Sequence, residues 1–330
     1  MADASIRVDV LALGGTIASK RAAGGDGVVP RMSGEDILAA TPGLEGCFDI
    51  RALTLCNLPS VELDLDLLSR VAAFAADAEA AGSSGLVVLQ GTDTIEETSY
   101  VLHLLHAGRC PIVVTGAMRH PSQPGADGPA NVLDSINCAA HAAFRDVGVV
   151  VVMNGEVHAA TDVQKRHASA LGAFWSPSPL GYIAEGEPHI RPSRPRPPAL
   201  VVPPNERFPF VPILKPGLCD PPYMVDAAMD AGAAAMVVEL AGGGHATAIW
   251  ADALGEAAKR VPVIFASRTR GGHVLKRTYG QAGGEIDLIR RGLVPAENLD
   301  ALKARLLIGL LVMAGRAGDF SKYATPQPGF

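Results

Sequence analysis

Aromatic residues are scarce, 5% of the chain, so a core must be built from aliphatic side chains and alanine rather than from packed rings. Cysteine is sparse too. Cys47, Cys56, Cys110, Cys138 and Cys219 are odd in number, widely scattered and without metal-ligand spacing. That excludes a disulfide framework and points to free, mostly buried thiols in a reducing cytoplasm. There is no basic run, and the net charge of -6 argues against nucleic acid as a partner. The locally basic stretch Arg191 to Arg196 is interleaved with prolines and reads as a solvated linker. No apolar stretch approaches the roughly 20 residues that cross a bilayer. Met1 to Arg7 lacks a basic region ahead of an apolar core, so no secretion signal is expected, and the location expected is cytoplasmic.

What is present is aliphatic bulk, 48% hydrophobic residues over 330 positions, enough for two domains of α/β type. Strand-like runs alternate with helical spacing. Ile6 to Leu13, Asp49 to Asn57, Leu86 to Leu89, Cys110 to Val114 and Val147 to Met153 read as strands. Leu65, Leu68, Val71, Ala72 and Ala75 repeat at helical spacing, and Glu96 to Ala107 reads as a helix. This alternation is the doubly wound signature. From Pro188 to Pro222 the chain turns proline-rich, which forbids regular helix and marks an extended connector. Short strand–helix units follow, and a last helix from about Glu297 to Gly315 reads as amphipathic.

Chemistry concentrates where apolar runs stop. Leu86 to Leu89 ends in Gln90-Gly91-Thr92-Asp93, and the loop leaving the carboxyl end of a strand is where open α/β sheets bind ligands. The plain alternative is that Thr92 and Asp93 cap the helix that follows. The first strand ends likewise in Gly14-Gly15-Thr16, where two glycines permit a sharp turn. Lys20 to Arg31 is small and polar without periodicity, either an active-site flap or a surface loop. Thr16, Ser60, Thr92, Asp93, Ala117 and Lys165 therefore fall at strand exits or near them. A threonine hydroxyl becomes a nucleophile only when a neighbour takes or polarises its proton; a lysine in a cleft can do so, oriented by an acid. Backbone N–H groups at a Gly-Ala turn can stabilise an oxyanion. The chain has no dinucleotide fingerprint or phosphate-cradling lysine loop.

Two segments, Leu13-Gly14-Gly15-Thr16-Ile17-Ala18 and Gln90-Gly91-Thr92-Asp93-Thr94-Ile95-Glu96-Glu97-Thr98, resemble the signatures of bacterial-type L-asparaginases. Val114 to Arg119, Ala126-Asp127-Gly128-Pro129-Ala130-Asn131, Val152 to Lys165 and Pro179 to Ile183 agree with that family in order and spacing. The resemblance implies hydrolysis of a side-chain carboxamide through an acyl-threonine, without metal or organic cofactor. By it Thr16 is the nucleophile, Thr92 the second hydroxyl, Lys165 the activating amine, and Asp93 the carboxylate that holds the substrate's amino group. Ser60 holds its α-carboxylate and Ala117 contacts the amide through its backbone. It also implies a larger N-terminal mixed-sheet, doubly wound domain over 1–187, a linker over 188–210, and a smaller parallel-sheet, flavodoxin-like α/β domain over 211–330. That second domain completes the site across the interface of a homodimer or homotetramer.

Departures from the family pattern concern recognition. The flap holds no tyrosine, Val61 stands where a glutamine is usual, and Glu62 follows it as a substitute. Tyr279 falls where a glutamate from the neighbouring subunit is usual, with Glu285 six residues later, and the Gly242-Gly243-Gly244-His245 turn is altered. The expected activity is conversion of L-asparagine to L-aspartate and ammonia. A different carboxamide (glutamine, a D-amide or an amide without a free amino group) and a non-catalytic amino-acid-binding protein are the alternatives.

Overall fold

The computed structural model describes residues 5–21, 28–30, 32–44, 48–192, 195–204 and 206–324. They fall into two compact units that divide between Ala199 and Leu200. The first begins with β1 (Ile6–Ala12) and a short antiparallel pair, β2 (Ser19–Arg21) with β3 (Val28–Pro30). That pair occupies the ends of the expected flap; residues 22–27 and 31 lie outside the described residues. Then come β4 (Phe48–Thr54), β5 (Leu86–Leu89), β6 (Ile112–Thr115), β7 (Val149–Met153) and β8 (Glu156–Ala159). A two-stranded hairpin, β9 (Gln164–Lys165) with β10 (Phe174–Trp175), stands beside the sheet, and β11 (Gly181–Ala184) and β12 (Glu187–Ile190) end it.

The sheet runs β12-β11-β8-β7-β6-β5-β1-β4. It is parallel from β4 to β7 and antiparallel from β7 to β12, a mixed sheet. Its inner parallel strands β5, β6 and β7 are buried on both faces, so they read in the sequence as unbroken apolar runs rather than as alternation. On one face Val8, Val10, Val87, Leu89, Val113 and Val150 pack with Val132 and Ile136. The helices of this unit are α1 (Gly34–Ala39), α2 (Leu65–Ala80), α3 (Ile95–Leu105) and α4 (Gly128–Ala140). Helix α2 starts where Asp64 accepts the Leu67 N–H at 2.9 Å, and it buries Leu67, Leu68, Val71, Ala75 and Ala78 along one stripe.

The proline-rich connector begins later than the composition suggests. Pro188 to Ile190 belong to β12, an edge strand. Proline is tolerated at an edge because its missing N–H costs no ladder bond there.

The second unit carries α5 (Tyr223–Asp230), α6 (Ala248–Ala258), α7 (Glu285–Arg290), α8 (Ala301–Met313) and α9 (Phe320–Ala324). Its sheet is all parallel, in chain order: β13 (Ile213–Leu214), β14 (Met236–Leu240), β15 (Val263–Ser267) and β16 (Val294–Pro295). The expected amphipathic last helix is instead apolar nearly all round, with Ala304 and Leu306 to Leu311 all buried. Its apparent polar stripe includes Lys303, which is buried with its ammonium 3.2 Å from Asp300. Among the described residues no helix is long and apolar enough to cross a membrane. Cys56, Cys110, Cys138 and Cys219 are free thiols, two of them buried and Cys219 exposed, whereas Cys47 lies outside the described residues.

Candidate active site

Strands β1, β4, β5 and β6 end level with one another. Ala12 pairs with both Thr54 and Leu89, and Leu89 with Thr115. The chain places β4 on one side of β1 and β5 on the other, so the crevice at these carboxyl ends lies at a topological switch point. Four loops leave from this row.

The turns after β1 and β5 touch through glycine backbone. Gly15 has φ +87°, and a Cβ there would collide with Gly91 N and Cα. Thr16, the next residue, is half-buried at the start of a 3-10 turn. Gly91 in turn leaves no room toward Ser60, whose Cβ and Oγ would each be 3.0 Å from an added Cβ.

The Thr92–Thr94 turn does not cap α3. The residue at the capping position is Thr94, and it makes no side-chain cap bond; its hydroxyl donates instead to the Ser60 carbonyl at 2.9 Å. Thr92 and Asp93 turn to Lys165, whose Nζ lies 2.9 Å from Thr92 Oγ1 and 2.7 Å from Asp93 Oδ1. The Lys165 side chain is only 13% exposed, whereas Asp93 is 69% exposed. The ion pair is therefore anchored from the lysine side and wetted from the acid side.

Lys165 is held at its other end as well. Its backbone N–H donates to Glu96 Oε2 at 3.0 Å, and Glu96 is buried in the first turn of α3. The hairpin that carries it leans on the main sheet: His158 Nδ1 and Ser176 Oγ are 2.9 Å apart, and both residues are buried. Burial pushes the His158 imidazole down from 6.5 to about 4. On the hairpin surface the Arg166 guanidinium stacks over the Trp175 ring, 3.0 Å from its centroid.

Ser60 is 4% exposed, and its Oγ has no hydrogen-bond partner among the described residues. A buried hydroxyl left unpaired is uncommon, because buried polar groups are ordinarily hydrogen-bonded. Its neighbours point elsewhere: Val61 is 64% exposed and Glu62 is exposed. Ala117 is buried in the loop after β6, and a Cβ on the adjoining Gly116 would sit 3.1 Å from Thr92 Cγ2.

The second unit brings Tyr279 and Glu285 together with His245. Glu285 is fully buried. Its Oε1 accepts the N–H groups of Thr278 and Tyr279 at 2.6 and 2.7 Å, and its Oε2 lies 3.1 Å from His245 Nε2. Burial works to raise its pKa, but the N–H bonds and His245 outweigh it and hold the carboxyl below its ordinary range. Glu285 thus fixes its own loop, and the half-exposed Tyr279, edge-on to the His245 ring, is the member of the pair at the surface.

Sequence reading placed Thr16, Ser60, Thr92, Asp93, Ala117 and Lys165 at strand exits or near them; it gave Glu96 only a place at the positive end of the helix dipole and left Asp127, Asn131 and His158 without a role. Among the described residues no three His, Cys, Asp or Glu side chains are grouped so as to hold a metal ion.

The family model described as "Asparaginase, N-terminal" matches residues 7–196, and "Glutaminase/Asparaginase C-terminal domain" matches residues 211–320. The chain is 34% identical over 324 residues to "Probable L-asparaginase" of Deinococcus radiodurans, which covers 95% of each chain. It is 30% identical to one of the subunits of "Glutamyl-tRNA(Gln) amidotransferase" of Methanosarcina acetivorans, over 96% of this chain and 76% of that one. The solved structure of "Probable Cytoplasmic L-asparaginase" from Campylobacter jejuni has a TM-score of 0.85 at 27% identity, covering 98% of this chain and 100% of that one. With a family model matched in each of its two units, the chain belongs to the asparaginase family and is an amidohydrolase.

Proposed function

We propose that the enzyme hydrolyses L-asparagine to L-aspartate and ammonia at the carboxyl ends of β1 and β5, with Thr16 as nucleophile. Thr16 Oγ attacks the side-chain amide carbon while the Thr92–Lys165–Asp93 group relays its proton to the departing nitrogen. Ammonia leaves, and Thr16 is left as an acyl ester. Water then attacks that ester, releases aspartate and restores the Thr16 hydroxyl. The Ala117 backbone N–H stabilises the carbonyl oxygen as it gains charge, and Ser60 Oγ takes the substrate's α-carboxylate.

The observation that carries this reading is the placement of Lys165 Nζ between Thr92 Oγ1 and Asp93 Oδ1. An amine held by a hydroxyl and a carboxylate is an arrangement suited to moving protons during acyl transfer. The test is ammonia release from L-asparagine by purified protein. Thr16→Ala should abolish it; undiminished release would remove Thr16 from the mechanism.

One observation favours a second reading. Val61 is exposed beside Ser60 and can neither donate nor accept a hydrogen bond through its side chain. A substrate with a different α-substituent, such as glutamine, a D-amide or an amide lacking a free amino group, would suit that surface. A panel of amides separates the two readings by relative kcat/KM.

The same reading makes the enzyme a cytoplasmic homodimer or homotetramer in which Tyr279 of one subunit approaches the crevice of another and Glu285 holds its loop. Sedimentation measures the assembly, and Tyr279→Phe should change KM only if the tyrosine hydroxyl meets substrate.

A further inference from the structure

Asp127 stands at the N-terminus of α4, where an aspartate ordinarily accepts an N–H of its own first turn. Here it makes no cap bond. Its oxygens reach back to the loop after β6, accepting the Met118 N–H at 2.9 Å and the Arg119 N–H at 2.8 Å. One turn along the helix, Asn131 is 1% exposed. Its Nδ2 donates to the Gly116 carbonyl at 3.0 Å and to Asp127 Oδ2 at 3.1 Å, while its Oδ1 accepts the Asn154 N–H at 2.9 Å.

These bonds enclose one residue. The carbonyl just before Ala117 and the two N–H groups just after it are all fixed by α4 side chains. Strand pairing cannot supply this rigidity, because β6 ends at Thr115. The same helix start touches the nucleophile turn: a Cβ on Gly128 would lie 3.2 Å from Ile17 Cγ1 and 3.5 Å from the Ala117 Cβ. An aspartate that gives up its own helix cap, coupled to a buried asparagine spanning two strand exits, is an expensive way to hold a loop unless its geometry matters. A donor aimed at developing charge works only if it is already in place when the charge forms.

We propose that Asp127 and Asn131 are positioning residues that set the Ala117 peptide N–H for the substrate's carbonyl oxygen. The proposal rests on the role given to Ala117 under Proposed function. It assigns a purpose to the Asp127-Gly128-Pro129-Ala130-Asn131 segment: one helix terminus registers the loop after β6 against the loops after β1 and β7.

Asp127→Asn, Asp127→Ala and Asn131→Asp are to be measured beside Thr16→Ala on the best amide of the panel, with melting temperature and aspartate affinity. A misplaced donor should lower kcat about ten- to hundredfold, somewhat less than losing one outright. KM should move less than about threefold and aspartate affinity should hold, since the product carries no developing oxyanion. Asp127→Asn, which keeps one acceptor, should fall less than Asp127→Ala. If Asp127→Ala does not fold, Asp127→Asn and Asn131→Asp decide. Wild-type kcat in folded variants, or a loss confined to KM or to melting temperature, overturns the clamp while leaving Thr16 in place. Full activity in Thr16→Ala overturns the reading of the centre instead.

Discussion

Thr92 and Lys165 are 73 positions apart in the chain, and the lysine Nζ lies 2.9 Å from the threonine hydroxyl. The lysine side chain is mostly buried, but its carboxylate partner Asp93 is 69% exposed. Water screens such a pair, so it contributes less than about 1 kcal/mol to folding. Lys165→Met should therefore leave denaturant stability within about 1 kcal/mol of wild type and lower kcat by about 10²- to 10⁴-fold, the range for a lost proton-transfer group. A variant equally destabilised and inactivated would make Lys165 a structural strut.

Glu96 governs the same lysine from behind. Its Oε2 accepts the Lys165 backbone N–H at 3.0 Å from a buried position. Glu96→Ala strands that N–H and should cost about 1–3 kcal/mol, with a fall in kcat as the hairpin loosens. Glu96→Gln retains an acceptor oxygen and should restore most of both. Urea denaturation and steady-state kinetics on the pair check it; equal losses in the two variants would mean that the charge, not the hydrogen bond, is what counts.

Much of this centre is legible in the chain because buried parallel strands write themselves as apolar runs. Each run that stops at glycine, as at Gly14 and Gly91, announces a strand exit. Whether Thr92 and Asp93 cap a helix or face a cleft is not written there, since both uses need the same residue types at the same place. The choice is made by Lys165, from a hairpin far along the chain. Glu96 reads as a carboxylate placed for the helix dipole, and its second partner is invisible until β9 is docked. Asp127 is hidden for the mirror reason: it looks like a helix cap and does not act as one. Helix α8 misleads through Lys303, which a linear pattern assigns to solvent and the fold buries against Asp300.

Gly15 joins the two halves of the crevice. Its φ of +87° is one that side chains rarely adopt, and an added Cβ would also fall 2.7 Å from the Gln90 carbonyl carbon. Gly15→Ala must push the turn that carries Thr16 away from the Thr92 turn. The expected outcome is a loss of about 1–3 kcal/mol in stability together with near-complete loss of kcat. Gly82 makes the control: it also has positive φ, +87°, but nothing lies within 4 Å of its added Cβ. Gly82→Ala should show a stability loss alone.

His158 gives the fold a direction of pH dependence. Its imidazole is fully buried against Ser176, and burial lowers it from 6.5 to about 4. Glu156, 3.4 Å from Nε2, favours the charged ring but is half exposed and does not reverse the effect. Between those two values the unfolded chain binds a proton that the folded chain refuses. Stability is thus fully present above about pH 6.5 and declines as pH falls toward 4, by at most about 3 kcal/mol for this group. His103, also lowered to about 4 by burial with Arg196 nearby, adds to the same slope. His158→Gln keeps a polar partner for Ser176 and removes the titration. Its unfolding free energy plotted from pH 7 to pH 4.5 should therefore be flatter than wild type, and flatter again when combined with His103→Gln. An unchanged slope in the double variant would show that other groups set the acid limit of the hairpin that carries Lys165.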